Sequence, residues 1–421
     1  MCNSDITDKT CSITQLKYKN KFKRFLKKQR HIVGLYRPNV LHSYLSHSQI
    51  LHYLEYTENK FLFTKIHMLG YSYEHRPITA IEINWYDPRN CKMSLNQPKP
   101  ITTEDSGNMK NRDIIFIEGG THAREWITIS VALNCIYQLT ERNTTQRDVL
   151  RKLRFFIIPV VNPDGYEYSR TKNVRWRKNR RPQENHRVIG IDCNRNYDVD
   201  WENGNAHKSR CTFKGDKPFS EPETRAVRNI MTKLANEIVL VLSLHSYAQS
   251  IMYPWGYTKK LPPNNSKLME VAQAGHIAIR RHNGRRYKIG NISHCIKHTI
   301  PGSIIDYAFG LLKIPLAIVV ELPSKELGFQ PPIDTIYPIG QESWLGIRAM
   351  SLCAYKIISA DKSIILVDQP YTKNTAHVEY SSCELQKNKS NMNSVGTQCD
   401  LTLKPSTVKQ KQLHLIESLL N

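Results

Sequence analysis

His122 and Glu125 stand three residues apart, directly after the apolar run 114–117 and the pair Gly119-Gly120. A strand that ends in a glycine turn presents such side chains at the carboxyl edge of a sheet, where α/β proteins build their sites. One imidazole and one carboxylate are two of the three protein ligands of a catalytic zinc, whose fourth position takes water. Surface helices also carry His-x-x-Glu by chance, so the pair alone decides nothing.

Three further apolar runs end close to residues that could complete such a site. The run 155–161 leads into Asn162-Pro163-Asp164-Gly165, the run 238–244 ends at His245, and the run 314–320 ends at Glu321. Each run has the length and composition of a buried strand. A second histidine supplies the third ligand, and a lone carboxylate is a candidate general base. Together, the strand ends predict the parts of a zinc hydrolase.

The chain resembles the zinc metallocarboxypeptidases of the pancreatic carboxypeptidase A/B type. The matching motifs, in family order, are GGTHAREWI, PVVNPDGYEYS, NVRWRKNR, GIDCNRN, SLHSYAQSIMYPWGYT and KIPLAIVVEL. The resemblance runs from about residue 41 to about residue 360, the size of one large α/β domain. It implies a single metallocarboxypeptidase-like α/β domain that removes C-terminal residues from peptides or proteins.

The resemblance also implies a role for each residue that matches a family motif. One zinc ion per chain would be held by His122, Glu125 and His245, and Asp192 would orient the first histidine. Glu321 would activate the zinc-bound water, whose pKa zinc lowers towards neutrality.

Three cationic or amide side chains match the family residues that bind charge on the substrate. Arg177 would stabilise the developing oxyanion, although it also belongs to a basic run that could be only a solvated surface. Asn194 and Arg195 would grip the substrate's free α-carboxylate, since a guanidinium offers two parallel donors. Arg124 and Tyr247 match subsite residues further along the peptide.

The sequence departs from the family at the edge of the site. The position of the family's mobile lid tyrosine holds His298, or Lys297 if the alignment has a one-residue gap. An outer-subsite arginine is replaced by Val174, and the arginine that usually follows Glu-Leu is Pro323. These changes leave normal lid closure open to question.

Ile305 matches the floor of the pocket that receives the C-terminal side chain, and an apolar floor favours aliphatic or aromatic residues. Ser293 would make the pocket partly polar, and an inward Lys297 would favour acidic C-termini. Further pocket matches compatible with an apolar lining are Met252, Gly256, Ile300 and Val319.

The elements that must position these residues alternate along the chain. Helical patterns at 128–141, 221–236, 267–283 and 341–359 lie between the strand-like runs, which also include 78–85. This order predicts a mixed central sheet with helices on both faces. A polar insertion at 92–112 should be a surface loop. The polar segment 361–421 should be largely disordered, with a short helical signal at 412–420.

Composition bounds the partners and the compartment. The formal net charge is +23, and residues 1–40 form a basic segment too short for the family's folded pro-domain. No nucleic-acid-binding motif accompanies it, so a solvated segment is the preferred interpretation. The start of the chain does not resemble a signal peptide, and no apolar stretch predicts a transmembrane segment. The resemblance nevertheless implies a secreted protein, with a cytoplasmic one as the alternative, and we expect a monomer.

Three functions follow from the sequence. The first is an active zinc exopeptidase with a preference for aliphatic or aromatic C-terminal residues. The second is a catalytically impaired pseudoenzyme that binds peptide ends, suggested by His298 and Val174. The third is a processing enzyme for acidic C-termini, suggested by Lys297.

Among ten cysteines, Cys193 and Cys211 bracket a region where relatives often carry a disulfide.

Overall fold

The computed structural model describes residues 37–85, 112–182, 190–208 and 210–367. The chain divides into two compact units, residues 1–357 and residues 358–421. In the second unit, the described residues 358–367 are helical. The expected basic segment 1–40, the insertion 92–112, the tail 361–421 and its helix at 412–420 lie almost wholly outside the described residues, so they stay predictions.

Among the described residues of the first unit, eight strands form one mixed sheet. In space they follow the order β1-β2-β4-β3-β5-β8-β6-β7. The strands are β1 (Thr64–Tyr71), β2 (Pro77–Ile83), β3 (Ile114–Glu118), β4 (Arg154–Ile158), β5 (Ile238–Ser246), β6 (Ser250–Tyr253), β7 (Lys288–Asn291) and β8 (Leu316–Leu322).

The four central strands β4, β3, β5 and β8 run parallel to one another. Their carboxyl ends therefore meet at one edge of the sheet. Towards one edge of the sheet, β2 is antiparallel to β4 and β1 is antiparallel to β2. Towards the other edge, β6 is antiparallel to β8 and β7 is parallel to β6. The predicted mixed α/β sheet is confirmed.

Helices accompany the strands between 47 and 367. They are α1 (His47–Lys60), α2 (Trp126–Thr140), α3 (Arg147–Leu150), α4 (Pro163–Thr171), α5 (Pro222–Leu234), α6 (Asn265–Asn283), α7 (Ile292–Cys295), α8 (Ile304–Asp306) and α9 (Ile336–Val367). Short 3₁₀ turns lie at Asn143–Thr145, Cys193–Arg195, Trp201–Asn203 and Ile333–Thr335, and a π turn at Tyr307–Leu311. None of the described helices is long and apolar enough to cross a membrane.

The central strands are covered on both faces. Every residue of β3, β4 and β5 is buried, and successive side chains of a strand point to opposite faces. Burial on both faces explains why these strands read as continuous apolar runs rather than as an alternating pattern.

Two strand boundaries differ from the apolar runs that predicted them. β4 stops at Ile158, before Pro159, although Val160 and Val161 remain buried in the turn that follows. β8 begins after Pro315, whose missing N–H cannot join the ladder, and it continues to Leu322. Glu321 therefore lies within the strand, where the sheet register fixes its position.

Candidate active site

His122, Glu125 and His245 form a compact group at the carboxyl edge of the parallel strands. All three are buried, and one ligand atom from each lies within 4.8 Å of the other two. The Nδ1 atoms of the two histidines are 3.1 Å apart. Glu125 places Oε1 2.8 Å from His122 Nδ1 and Oε2 3.1 Å from His245 Nδ1. Two imidazole nitrogens and one carboxylate thus converge on one point, a donor set that fits a three-ligand zinc site.

The electrostatics of this group favour a cation between its members. Burial alone would raise the pKa of Glu125, but the two histidines hold that pKa well below its usual range. Burial also disfavours a charged His245, yet its hydrogen bond to Glu125 raises the pKa of His245 to about 9. The buried carboxylate therefore draws positive charge towards the point where the three side chains meet.

The turn after β3 brings the first two ligands into place. Gly120 has φ +64, and a Cβ at this position would approach the Ile129 side chain to 2.9 Å. Only glycine adopts this conformation without strain, so the chain can turn sharply from the strand towards His122. Glu125 is the residue directly before α2, and its side chain makes no capping hydrogen bond, while His245 lies on β5.

The outer nitrogen of His122 lies against a buried carboxylate. His122 Nε2 is 3.2 Å from Asp192 Oδ1, and Asp192 Oδ2 accepts a hydrogen bond of 3.0 Å from Arg177 Nε. Burial opposes ionisation of Asp192, but Arg177 and His122 hold its pKa well below the usual range. Asp192 can therefore fix the orientation of His122 as sequence reasoning expected.

Glu321 lies on the strand next to His245. The two residues are direct partners in the parallel ladder between β5 and β8, so their side chains leave the same face of the sheet. Burial raises the pKa of Glu321 to about 7, against the opposing effect of His245. A carboxyl group with a pKa near neutrality is suited to take and return a proton.

Three arginines, Arg124, Arg177 and Arg195, lie near the carboxylates of Glu125 and Asp192. Arg177 Nη1 is 3.4 Å from Glu125 Oε1, and Arg195 Nη1 donates a 2.6 Å hydrogen bond to the carbonyl of Asn194. Burial, and then the neighbouring Arg177, lowers the pKa of Arg124. Burial likewise lowers the pKa of Arg195, against the effect of Asp192. Guanidinium groups crowded in this way favour an anionic ligand.

The residues expected around the specificity pocket are mostly buried. Ile305 is fully buried, and so is Ser293, whose hydroxyl lies 2.7 Å from the Thr258 carbonyl oxygen and is thus engaged within the protein. Asp306 accepts hydrogen bonds from the backbone N–H groups of Gly256 and Tyr257, which tie the pocket loops together. The other matched positions Met252 and Val319 are buried, and Ile300 is half-buried.

Comparison with known proteins decides the family. The family model described as "Zinc carboxypeptidase" matches residues 50–346, well over half of the chain. The chain belongs to the zinc carboxypeptidase family. The chain is thus classed among the metallocarboxypeptidases, as its sequence motifs predicted.

Relatives and solved structures agree with this assignment. Human mast cell carboxypeptidase A is 38% identical over 245 residues, which cover 57% of this chain and 58% of that protein. Carboxypeptidase B of Astacus astacus is 36% identical over 247 residues, 57% of this chain and 80% of that protein. The structure of Helicoverpa armigera carboxypeptidase A has a TM-score of 0.67 at 26% identity and covers 80% of this chain and 82% of that one. The chain thus spans little more than half the length of the mast cell enzyme.

Three of the four positions that depart from the family motifs lie at the surface. Val174 is 48% exposed. Lys297 and His298 are both exposed, and His298 Nδ1 lies 3.0 Å from the Ile296 carbonyl oxygen of its own loop. Pro323, by contrast, is buried directly after β8. Cys193 is buried and Cys211 is exposed, and both are free thiols.

Sequence reasoning missed two residues near the site. The Phe329 ring packs against Tyr247 in a tilted arrangement with centroids 4.6 Å apart, and the Arg124 guanidinium lies 4.1 Å above the Phe329 ring. Glu118, the last residue of β3, contacts the His245 side of the site through Ser243. A charged residue inside an apolar strand was the available signal for Glu118, whereas nothing in the local sequence marks Phe329.

Proposed function

We propose that this chain is a zinc-dependent carboxypeptidase that hydrolyses the C-terminal peptide bond of peptides or proteins. One observation carries the proposal: two histidine Nδ1 atoms and one Glu125 carboxylate converge beside Glu321, which lies on the adjacent parallel strand. When bound there, zinc would act as a Lewis acid that polarises a carbonyl and lowers the pKa of water.

The chain's own residues would divide the remaining work. Arg195 and Asn194 would hold the α-carboxylate of the substrate, because a charged fork and an amide suit a carboxylate. Glu321, with its raised pKa, would take a proton from water and later give one to the leaving amine. Arg177 would donate to the oxygen on which negative charge develops, since its guanidinium is already held by Asp192.

We further propose a preference for aliphatic or aromatic C-terminal residues. The buried, apolar Ile305 supports it, because a cation in such a pocket without a partner is strongly disfavoured. Lys297 is exposed, so a preference for acidic ends would require this side chain to turn towards the substrate. An extracellular location follows from the family resemblance alone, and fractionation of expressing cells decides between it and the cytoplasm.

The test is a panel of peptides that differ only in the C-terminal residue, incubated with and without a chelator. We expect release of Phe and Leu in preference to Lys and Arg, and loss of release with the chelator. Glu321→Gln should keep its zinc while kcat falls by roughly two orders of magnitude or more, as for loss of a general base. His122→Ala should lose most of the zinc as well.

The outcomes separate the candidate functions. A wild-type protein that binds zinc but cleaves no peptide would establish the pseudoenzyme, which the exposed His298 in place of a tyrosine favours. Undiminished hydrolysis by Glu321→Gln would refute the role of Glu321. A marked preference for C-terminal Asp or Glu would instead favour the processing of acidic ends.

A further inference from the structure

Glu118 is a buried carboxylate that the proposed reaction does not use. It is the last residue of β3 and is fully buried. Burying a carboxylate is costly unless hydrogen bonds or opposite charge compensate it. In the described part of the chain, its side chain accepts hydrogen bonds from two hydroxyl groups, Thr121 Oγ1 at 2.6 Å from Oε2 and Ser243 Oγ at Oε1. Among the described residues no lysine, arginine or histidine side chain forms an ion pair with it.

The sheet register connects Glu118 to a metal ligand. Glu118 and Ser243 are direct partners in the parallel ladder between β3 and β5. Ser243 and His245 are two residues apart on β5, so their side chains leave the same face. Ser243 Oγ lies 3.0 Å from His245 Nε2, the ring nitrogen that faces away from His122 and Glu125. Three side chains on two strands therefore form one continuous path.

Hydrogen-bond directions along this path follow from the chemistry of the ring. If Nδ1 of His245 binds zinc, Nε2 must carry the proton of the neutral imidazole. The Asn194 amide nitrogen, 3.3 Å from Nε2, is itself a donor, and its orientation is set because Asn194 Oδ1 accepts from the Ile304 N–H at 3.0 Å. Ser243 Oγ is then the acceptor for Nε2–H, and its own hydrogen goes to Glu118.

We propose that Glu118 is a positioning residue of the metal centre, acting on His245 through Ser243. The inference rests on the proposed zinc function. Each histidine ligand would then have a carboxylate behind the ring nitrogen that does not bind zinc. Asp192 contacts this nitrogen of His122 directly, and Glu118 reaches that of His245 through the Ser243 hydroxyl. Such outer partners fix the orientation of the ring and raise its basicity as a ligand.

The experiment measures zinc affinity by chelator competition in the wild type, Glu118→Gln, Ser243→Ala and the double variant. Each single change should weaken zinc binding by roughly 10- to 100-fold, the range for loss of an outer partner. The double variant should bind zinc no more weakly than the weaker single variant, because both changes interrupt the same path. Glu342→Gln is the matched control: it neutralises a carboxylate that is 1% exposed on α9 and should leave zinc affinity unchanged.

A second readout reports the ring orientation independently of turnover. With Co²⁺ in place of zinc, Glu118→Gln and Ser243→Ala should shift the visible absorption spectrum in the same way, and Glu342→Gln should not. Ser243→Ala is the smaller change and tests the same path if Glu118→Gln does not fold. Wild-type zinc affinity in both single variants, or fully additive losses in the double variant, would overturn the inference. A wild type that binds no zinc would overturn the proposed function, and the inference with it.

Discussion

Glu223 makes the stability of the protein depend on pH in an unusual direction. It lies in the first turn of α5 and is fully buried. Its Oε2 accepts a 2.9 Å hydrogen bond from Asn179 Nδ2, which also donates to Glu221 at 2.7 Å. Within the described structure, Oε1 of Glu223 has no hydrogen-bond partner. Burial, followed by the Glu221 charge, raises the pKa of Glu223 from 4.5 to about 8.

The sign and size of the effect follow from this shift. Below pH 4.5 the carboxyl group is protonated in both states, and between 4.5 and about 8 only the unfolded state releases the proton. Stability therefore falls as pH rises through this window, by up to about 1.4 kcal/mol per pH unit. The difference of about 3.5 units corresponds to a loss of at most about 5 kcal/mol above pH 8.

Glu223→Gln removes the titration and keeps an oxygen that can accept from Asn179. Reversible urea unfolding of the wild type and the variant at fixed free zinc, from pH 5 to pH 9, measures the difference in unfolding free energy. We expect the variant to gain roughly 2–5 kcal/mol relative to the wild type between these limits. Glu202→Gln is the control, since the Glu202 side chain is 89% exposed, and its difference should stay constant. A constant difference for Glu223→Gln would refute the reasoning.

Two further predictions concern substrate binding. A Cβ at Gly302, which has φ +73, would lie 2.3 Å from the Arg195 carbonyl oxygen. Gly302→Ala should therefore displace Arg195 and weaken its charge-assisted hydrogen bond to the substrate carboxylate. We expect this loss to raise KM about tenfold. Gly284→Ala, at φ +76 with open space around it, carries the same backbone strain and should leave KM unchanged; equal KM values in both would contradict this role of Gly302. Ile305→Asp should shift kcat/KM from Phe- towards Lys- and Arg-ended peptides by about 10- to 100-fold, as for partnering a buried charge. Ile305→Val should keep the original ranking, and an unchanged ranking in Ile305→Asp would exclude Ile305 from the pocket.

The sequence was most informative where strands are buried on both faces. The runs that became β3, β5 and β8 contain long apolar stretches, so the positions of His122, His245 and Glu321 near their carboxyl ends could be predicted. The motif resemblance then supplied roles that periodicity alone does not give.

Features that depend on partners far along the chain could not be predicted. β1 is mostly half-buried and mixes polar with apolar residues, so its sequence lacks a continuous apolar run. α1 was missed although Ser46 and Gln49 form a capping box at its start. The link from Glu118 to His245 needs the register of β3 against β5, which no local pattern reveals. The approach of Phe329 to Arg124 likewise joins segments about two hundred residues apart.

The same long separations have a consequence for how the protein gains and keeps its metal. His122 and Glu125 are neighbours in the unfolded chain, but His245 is 123 residues away from His122. The three ligands meet only after β3 and β5 have paired, a non-local contact that forms slowly. Zinc would therefore bind the folded chain almost exclusively, adding about 2.7 kcal/mol of stability when free zinc is a hundred times its dissociation constant. Under this coupling, a fall in available zinc would increase the fraction of unfolded chains, and their degradation would lower the amount of protein.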